Sequence, residues 1–297
     1  MNFTQKYFWL IILFSIILGY VWQAPGLIFK NWLTIILMVM MTLSSLKIDL
    51  KELKNFKHDW WRYVLVLINI YLFSTFLIFL CQKFLHLNSD IYLGLILTAA
   101  LPCGISVVAF SIIFKGQPTK ALITTTLAHL LAPILIPATV WLFVHKVIDI
   151  NILSMFWLVF KLVIIPIILA EIIKYFKWNK FLEKYITSSN TIFVAMLNWG
   201  GIAPVAYLIS WQNHSFLIAL LIILLIAIIQ IILGNLFGRS KEEKITWSIT
   251  NFYKNTGLAT VLALNSFDST ALLGVVAYIV ATNVILAPLQ YYLTKTK

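Results

Sequence analysis

The chain has 297 residues, 62% of them hydrophobic and only 11% charged. A soluble domain carries about 25% charged residues, so this composition excludes a water-soluble globule and makes lipid the main solvent. The formal net charge of +12 is not a nucleic-acid signature, because the basic residues sit in short clusters between apolar runs, the pattern of membrane topology.

A spanning helix needs about 20 apolar residues. Ten such runs follow one another, at 7–27, 32–47, 61–84, 91–114, 119–145, 151–173, 188–210, 214–237, 243–264 and 268–293. The first lacks a small-residue cleavage site and is expected to be a retained helix, not a removed signal peptide. The short connections leave no room for a second soluble domain. Cys81 and Cys103 both lie in apolar runs, so no disulfide framework or metal-ligand spacing is implied, and no cofactor is expected.

Lysine and arginine divide unevenly between the two sets of tails and loops. One set holds 17, from Lys6 and Lys47 to Lys295 and Lys297; the other holds Lys30, Lys83 and Lys146; Lys161 and Lys254 fall inside spans. This asymmetry predicts an even helix count with both termini cytoplasmic, in a multi-pass plasma-membrane protein of bacterial inner-membrane type.

The two halves echo each other. LPCGISVVAF at 101–110 is followed by LAP at 131–133, and KNTGLATVLA at 254–263 is followed by LAP at 286–288. Gly104 and Gly257 are 153 apart, Pro133 and Pro288 are 155 apart, and Asn69 and Gln230 are 161 apart. Five spans per half is an odd number, so residues 1–146 and 147–297 are expected to be inverted repeats, the plan of many secondary transporters.

Spans 4 and 9 carry the chemistry. Pro102 removes a backbone donor and clashes with the preceding turn, and Gly104 tolerates nearly any dihedral, so span 4 is expected to break near mid-membrane. In span 9 the break is expected at Lys254-Asn255-Thr256-Gly257. Backbone groups freed there must line protein or water, and the half-helix that follows presents free N–H groups and a positive dipole end, a ready anion site. The bland alternative for each is a plain proline or glycine kink.

Lys254 is the sharpest single residue. A lysine at mid-membrane costs at least about 2.5–3.5 kcal/mol, and ten residues separate it from Lys244, too far to snorkel. It reads either as a cation beside the substrate, fixed or protonatable, or as a structural lysine held by carbonyls opened at the break. Lys161 reads as structural or interfacial, and Glu171 is expected near Lys174. His129 is a candidate proton relay or a helix–helix contact. Thr125, Asn69, Gln230 and Thr250 are further coupling candidates; Pro102, Cys103, Gly104, Ser106 and Asn198 join Lys254, Asn255, Thr256 and Gly257 as substrate candidates. Asn251 and Asn283 are intramembrane polar residues that can bond across helix interfaces. The stretch Asn198-Trp199-Gly200-Gly201, with Pro204 behind it, is expected to be irregular. Paired aspartates, HExxH, a Walker loop and a nucleophile motif are all missing, which argues against an intramembrane enzyme and an ATP-driven pump.

These segments resemble the bile acid:sodium symporter family. PCGISVVAFSIIFKG (102–116) looks like its span-4 crossover, LAP (131–133) its span-5 proline, LSSLKIDLKEL (43–53) the segment closing span 2, and NTGLA (255–259) its Asn-Ser-Gly-Leu-Ala in span 9. The resemblance implies an all-α fold of ten membrane helices with broken, crossing spans 4 and 9. It also implies a core domain of spans 3–5 and 8–10, a panel domain of spans 1, 2, 6 and 7, and a substrate cavity between them. Several positions depart from the family's sodium ligands. Thr250 and Lys254 stand at its glutamate and glutamine, Val107 and Val108 at its Ser-Asn pair, Ala121 at a serine, and Asn69 at a glutamine; a threonine is kept as Thr125. Hard cations need oxygen ligands, so the expectation is a transporter of a small organic anion coupled to protons, to exchange or to nothing, with the Lys254 ammonium in the place of one sodium charge. The rival transporter reading is an arsenite-efflux-type permease using Cys103. From other classes stand a sensor, for which the loops offer no partner-facing domain, and an intramembrane enzyme. The expected partners are the anion and the bilayer, with no nucleic acid.

Overall fold

The computed structural model describes residues 7–48, 59–146, 150–210 and 212–295, with side chains through 288. Span 1 is a pair, α1 (Phe8–Val21) and α2 (Gln23–Lys30), bent by 98° at Trp22. Span 2 is α3 (Leu33–Ser45), whose 13 residues reach only about 20 Å. Span 3, Trp60–Leu85, is α4, with a π-helical turn at Asn69–Phe73. Span 4 divides into α5 (Ser89–Ala99) and α6 (Val107–Ile113). Then come α7 (Pro118–Val144), α8 (Ile152–Tyr175), α9 (Asn179–Ile202) with a 3-10 turn over Ala203–Leu208, and α10 (His214–Phe237). Span 9 divides into α11 (Lys241–Phe252) and α12 (Thr256–Ser266), and α13 (Leu272–Lys295) is span 10.

Each of the ten expected spans thus corresponds to a helix or a pair of helices. Among the described residues, six are long and apolar enough to cross a bilayer by length and composition alone, or seven if the bent pair is one span. The shortfall has a physical reason. Spans 4 and 9 are broken, span 2 is short, and the first half of span 9 is rich in polar residues (KEEKITWSITNF). Large apolar side chains face outward along α10, where Leu221, Leu225, Ile228 and Ile232 are exposed, which only a lipid surround tolerates.

Helices α1, α3, α8 and α9 pack on one another, and α10 with α11 and α13, and α5 with α13, make a second group; α8 on α7 and α13 on α1 join the two. The α5–α13 crossing is a close approach. A Cβ on Gly94 would overlap the Ala271 carbonyl, and one on Gly274 the backbone of Ile91 and Leu95. Small residues let membrane helices touch backbone to backbone, where dispersion and not the hydrophobic effect holds them.

The expected irregular stretch at 198–201 is a correction. The α-helix runs unbroken through Ile202, and the tightening to a 3-10 turn starts at Ala203, beside Pro204. Gly200 and Gly201 serve packing there, against Leu33 and Thr260.

At the basic face a charge cluster ties α4, α7 and α11 together. Glu243 accepts from Arg62 Nη1 (2.9 Å), Lys120 Nζ (2.6 Å) and the Arg239 amide (2.9 Å). Lys120 also bonds Asp59 at 2.8 Å. Arg62 donates to the Phe237 carbonyl at 2.7 Å and stacks over Trp247 at 4.8 Å. Glu171 pairs with Lys174 as expected, and Lys161 is exposed on α8.

Candidate functional site

The two breaks meet. Pro102 and its neighbours end α5, and Tyr253–Asn255 separate α11 from α12, leaving main-chain groups free in an apolar interior. They satisfy one another. The Gly104 amide donates to the Tyr253 carbonyl (2.8 Å), and the Asn255 amide donates to the Pro102 carbonyl (3.0 Å). Cys103 and Lys254 therefore face each other as an antiparallel bridge. Asn255 also caps α12, its Oδ1 accepting from the Leu258 amide at 3.1 Å.

Lys254 is buried. Its ammonium donates to the Ile70 carbonyl and, at 3.4 Å, to that of Leu101. Both acceptors come from irregular backbone. Leu101 stands in the span-4 break, and Ile70 in the π-turn, where the usual ladder is interrupted. The sequence reading's carbonyl-held lysine is thus what the geometry displays, with the charge directed at the crossover backbone.

His129 lies one turn beyond Thr125 on α7. Its Nδ1 pairs with the Thr125 carbonyl (2.8 Å); a carbonyl only accepts, so Nδ1 carries the proton. Nε2 is then left to accept from Asn255 Nδ2 at 3.4 Å. Thr125 Oγ1 meets Cys103 Sγ at 3.4 Å.

Beside the crossover lies a cavity of ≈ 190 Å³. One wall is Gly104, Ser106, Thr125, His129 and Lys254–Gly257; the opposite wall is Ser44 and Ser45 at the end of α3 and Lys47 just past it, with Thr187, Asn190 and Thr191 of α9. Met40, Met41, Val108, Phe110 and Ile113 give it an apolar middle. Among the described residues, two lysines and no carboxylate line it.

Of the expected site residues, the structure brings Gly104, Ser106, Thr125, His129, Lys254, Asn255, Thr256 and Gly257 to this cavity. The other substrate candidates, Pro102, Cys103 and Asn198, and the coupling candidates Thr250, Asn69 and Gln230 are not among the residues that line it. Pro102 and Cys103 are buried within the crossover itself. Asn198 lies elsewhere on α9, its Nδ2 3.5 Å from Ser15 Oγ. Thr250 back-bonds to the Thr246 carbonyl at 2.6 Å, as threonines inside helices do. Asn69 and Gln230 are buried and hydrogen-bonded to each other at 2.6 Å. Sequence reasoning missed the opposite wall. Lys47 counted only as a loop charge, and Thr187 fell before the expected start of span 7. The spacing of Thr187 and Thr191, one turn apart, with Asn190 between, was the available signal.

Comparison with known proteins matches residues 34–234 to the Sodium Bile acid symporter family, a stretch covering more than half of the chain, both arms of span 4 and the whole of span 5. The chain belongs to the sodium bile acid symporter family. A relative, the uncharacterized sodium-dependent transporter YocS of Bacillus subtilis (strain 168), is 24% identical over 275 residues, covering 90% of this chain and 84% of the relative. This symporter-family protein is therefore a membrane transporter and not an enzyme.

Proposed function

We propose that the protein carries a small organic anion, a carboxylate, by alternating access and without classical two-sodium coupling. The observation that carries this reading is the cavity wall: among the described residues its charged side chains, Lys47 and Lys254, are both cations. A lining of net positive charge favours an anion. The amide end of α12, with Thr256 and Gly257, adds a positive dipole end at the same place.

Lys254 supports sodium independence. Its ammonium holds the Ile70 and Leu101 carbonyls, oxygen ligands of the kind a hard cation would use. A tethered charge in that position keeps the crossover neutralised without a bound ion. The relative's name calls it sodium-dependent, which makes retained sodium coupling the second reading for this chain.

Movement would follow from the packing. α1, α3, α8 and α9 form a panel, and spans 3–5 and 8–10 form the core around the crossover. Rocking one against the other would open the cavity to each side in turn. The halves 1–146 and 147–297 act as inverted repeats in this scheme, a reading supported by the Asn69–Gln230 and Cys103–Lys254 pairings between them. The basic face carrying Lys47, Lys120 and Arg239 is the cytoplasmic one by its charge.

The test is a melting-temperature screen of detergent-purified protein against small carboxylates in sodium and in choline buffers. A ligand that binds the folded state raises the melting temperature by mass action. An acid that stabilises the wild type equally in both buffers and fails with Lys254→Ala supports the proposal. Stabilisation confined to sodium favours the second reading.

A further inference from the structure

The panel wall of the cavity is built differently from the crossover wall. Lys47 stands just past the end of α3, and its Nζ donates to Thr187 Oγ1 at 2.9 Å. One turn along α9, Asn190 Nδ2 donates to Ser44 Oγ at 2.7 Å, which fixes the amide and leaves Oδ1 turned away from that bond. Asn190 Oδ1 is buried and has no hydrogen-bond partner among the described residues. All four residues line the cavity. Glu183, the carboxylate whose field reaches Lys47, is itself held by Asn179 at 2.9 Å.

We infer that Lys47 and Asn190 are the specificity-determining pair of the panel. Lys47 takes the substrate's anionic group, and Asn190 Oδ1 takes a hydroxyl or N–H donor carried on the same molecule. This rests on the anion-transport reading and sharpens it. The substrate is an acid bearing a hydrogen-bond donor, its apolar part against Met40, Met41 and Val108. The chemistry is direct. An ammonium with one of its three donors spent on Thr187 has, among the described residues, two left for a carboxylate, and charge-assisted bonds of this type are the strong ones. A buried acceptor without a donor is costly, so a substrate that supplies the donor binds better than one that does not. Lys254 cannot do the same work, because its ammonium is committed to the Ile70 and Leu101 carbonyls.

The test titrates the full-length purified protein with isovalerate, alpha-hydroxyisovalerate and beta-hydroxyisovalerate, read by melting temperature. At least one hydroxy acid should bind wild type more tightly than isovalerate. Lys47→Met should weaken all three acids about tenfold, the worth of one charge-assisted bond, while Lys47→Arg retains them. Asn190→Leu should erase the preference for the hydroxy acid and leave isovalerate affinity in place. Lys47 is exposed, so its truncation opens no hole in the core, and each variant's melting temperature without ligand checks that it is folded. Should Lys47→Met bind like wild type, or the hydroxyl preference survive Asn190→Leu, the pairing is wrong. Binding lost in Lys254→Ala but kept in Lys47→Met overturns this inference alone. Wild type that ignores all three acids overturns the anion reading with it.

Discussion

The Gly104 amide and the Tyr253 carbonyl meet at 2.8 Å, joining two chain breaks that lie about 150 residues apart in sequence. Together with the return bond from Asn255 to Pro102 (3.0 Å), this contact lets each break satisfy the other where no water is available to do so. Gly104 has no room for a side chain. A Cβ there would lie 2.7 Å from Tyr253 Cε1 and 3.2 Å from the Lys254 carbonyl. Gly104→Ala is expected to cost about 1–3 kcal/mol through overpacking, seen as a lower melting temperature in detergent. Trimming the ring in a Gly104→Ala, Tyr253→Leu double variant should recover part of the loss, and full additivity would show that the clash is elsewhere.

Lys254 gives a gain-of-function prediction. The resemblance of NTGLA (255–259) to the family's span-9 motif implies that the family's glutamate and glutamine stand at Thr250 and Lys254, so Thr250→Glu combined with Lys254→Gln removes the tethered cation and supplies carboxylate and amide oxygens. Sodium should then raise the melting temperature of the double variant over choline by about 2–4 °C, the scale of a 1 kcal/mol linkage effect. The wild type should show no such difference. An identical response of both proteins to the two buffers would mean that Lys254 does not stand in for an ion.

Glu243 holds Arg62, Lys120 and the Arg239 amide at once, and its side chain is only 10% exposed. Breaking a buried pair on one side leaves the other charge uncompensated, at a cost of about 3–5 kcal/mol. Glu243→Gln should therefore be among the more destabilising single changes at the basic face. Adding Lys120→Met should restore stability relative to the single variant; a double variant worse than both singles would contradict the network.

Asp59 gives the pH dependence. The hydrogen bond from Lys120 holds its carboxyl below the ordinary aspartate range, with further help from the Lys120, Arg62 and Arg239 charges. A group whose folded-state pKa is depressed adds stability that is complete above its unfolded value, about 4, and is lost as pH falls through the folded one. Melting temperature should consequently fall as the buffer is taken below about pH 4. Asp59→Asn should be less stable at neutral pH and show a flatter acid limb. A variant whose acid limb matches wild type would place the responsible carboxyl elsewhere.

Much of this site was legible before any fold was known. Pro102 and Gly104 pointed to a break because a missing donor and an unconstrained backbone coincide there, whereas Pro133 and Pro137, without such a neighbour, lie inside the continuous α7. Lys254 announced itself by the cost of a charge at mid-membrane. Asn69 and Gln230, matched by their spacing in the two halves, hydrogen-bond to each other. Which side of α9 faces the cavity, with Asn190 on it and Asn198 off it, was not legible for a reason common to such helices. Spans solvated by lipid are apolar all round, so periodicity does not tell which face of a helix looks inward.

By itself, then, the sequence determined that the chain lives in a membrane, that its fourth and ninth apolar runs break, and which family it resembles, because these depend on composition and on local backbone chemistry. Tertiary structure decided that the Lys254 ammonium turns to the Ile70 and Leu101 carbonyls and that α3 and α9 supply the second cavity wall. Those choices depend on how each helix is rotated against its neighbours, and close packing between distant segments, not any local residue pattern, sets that rotation.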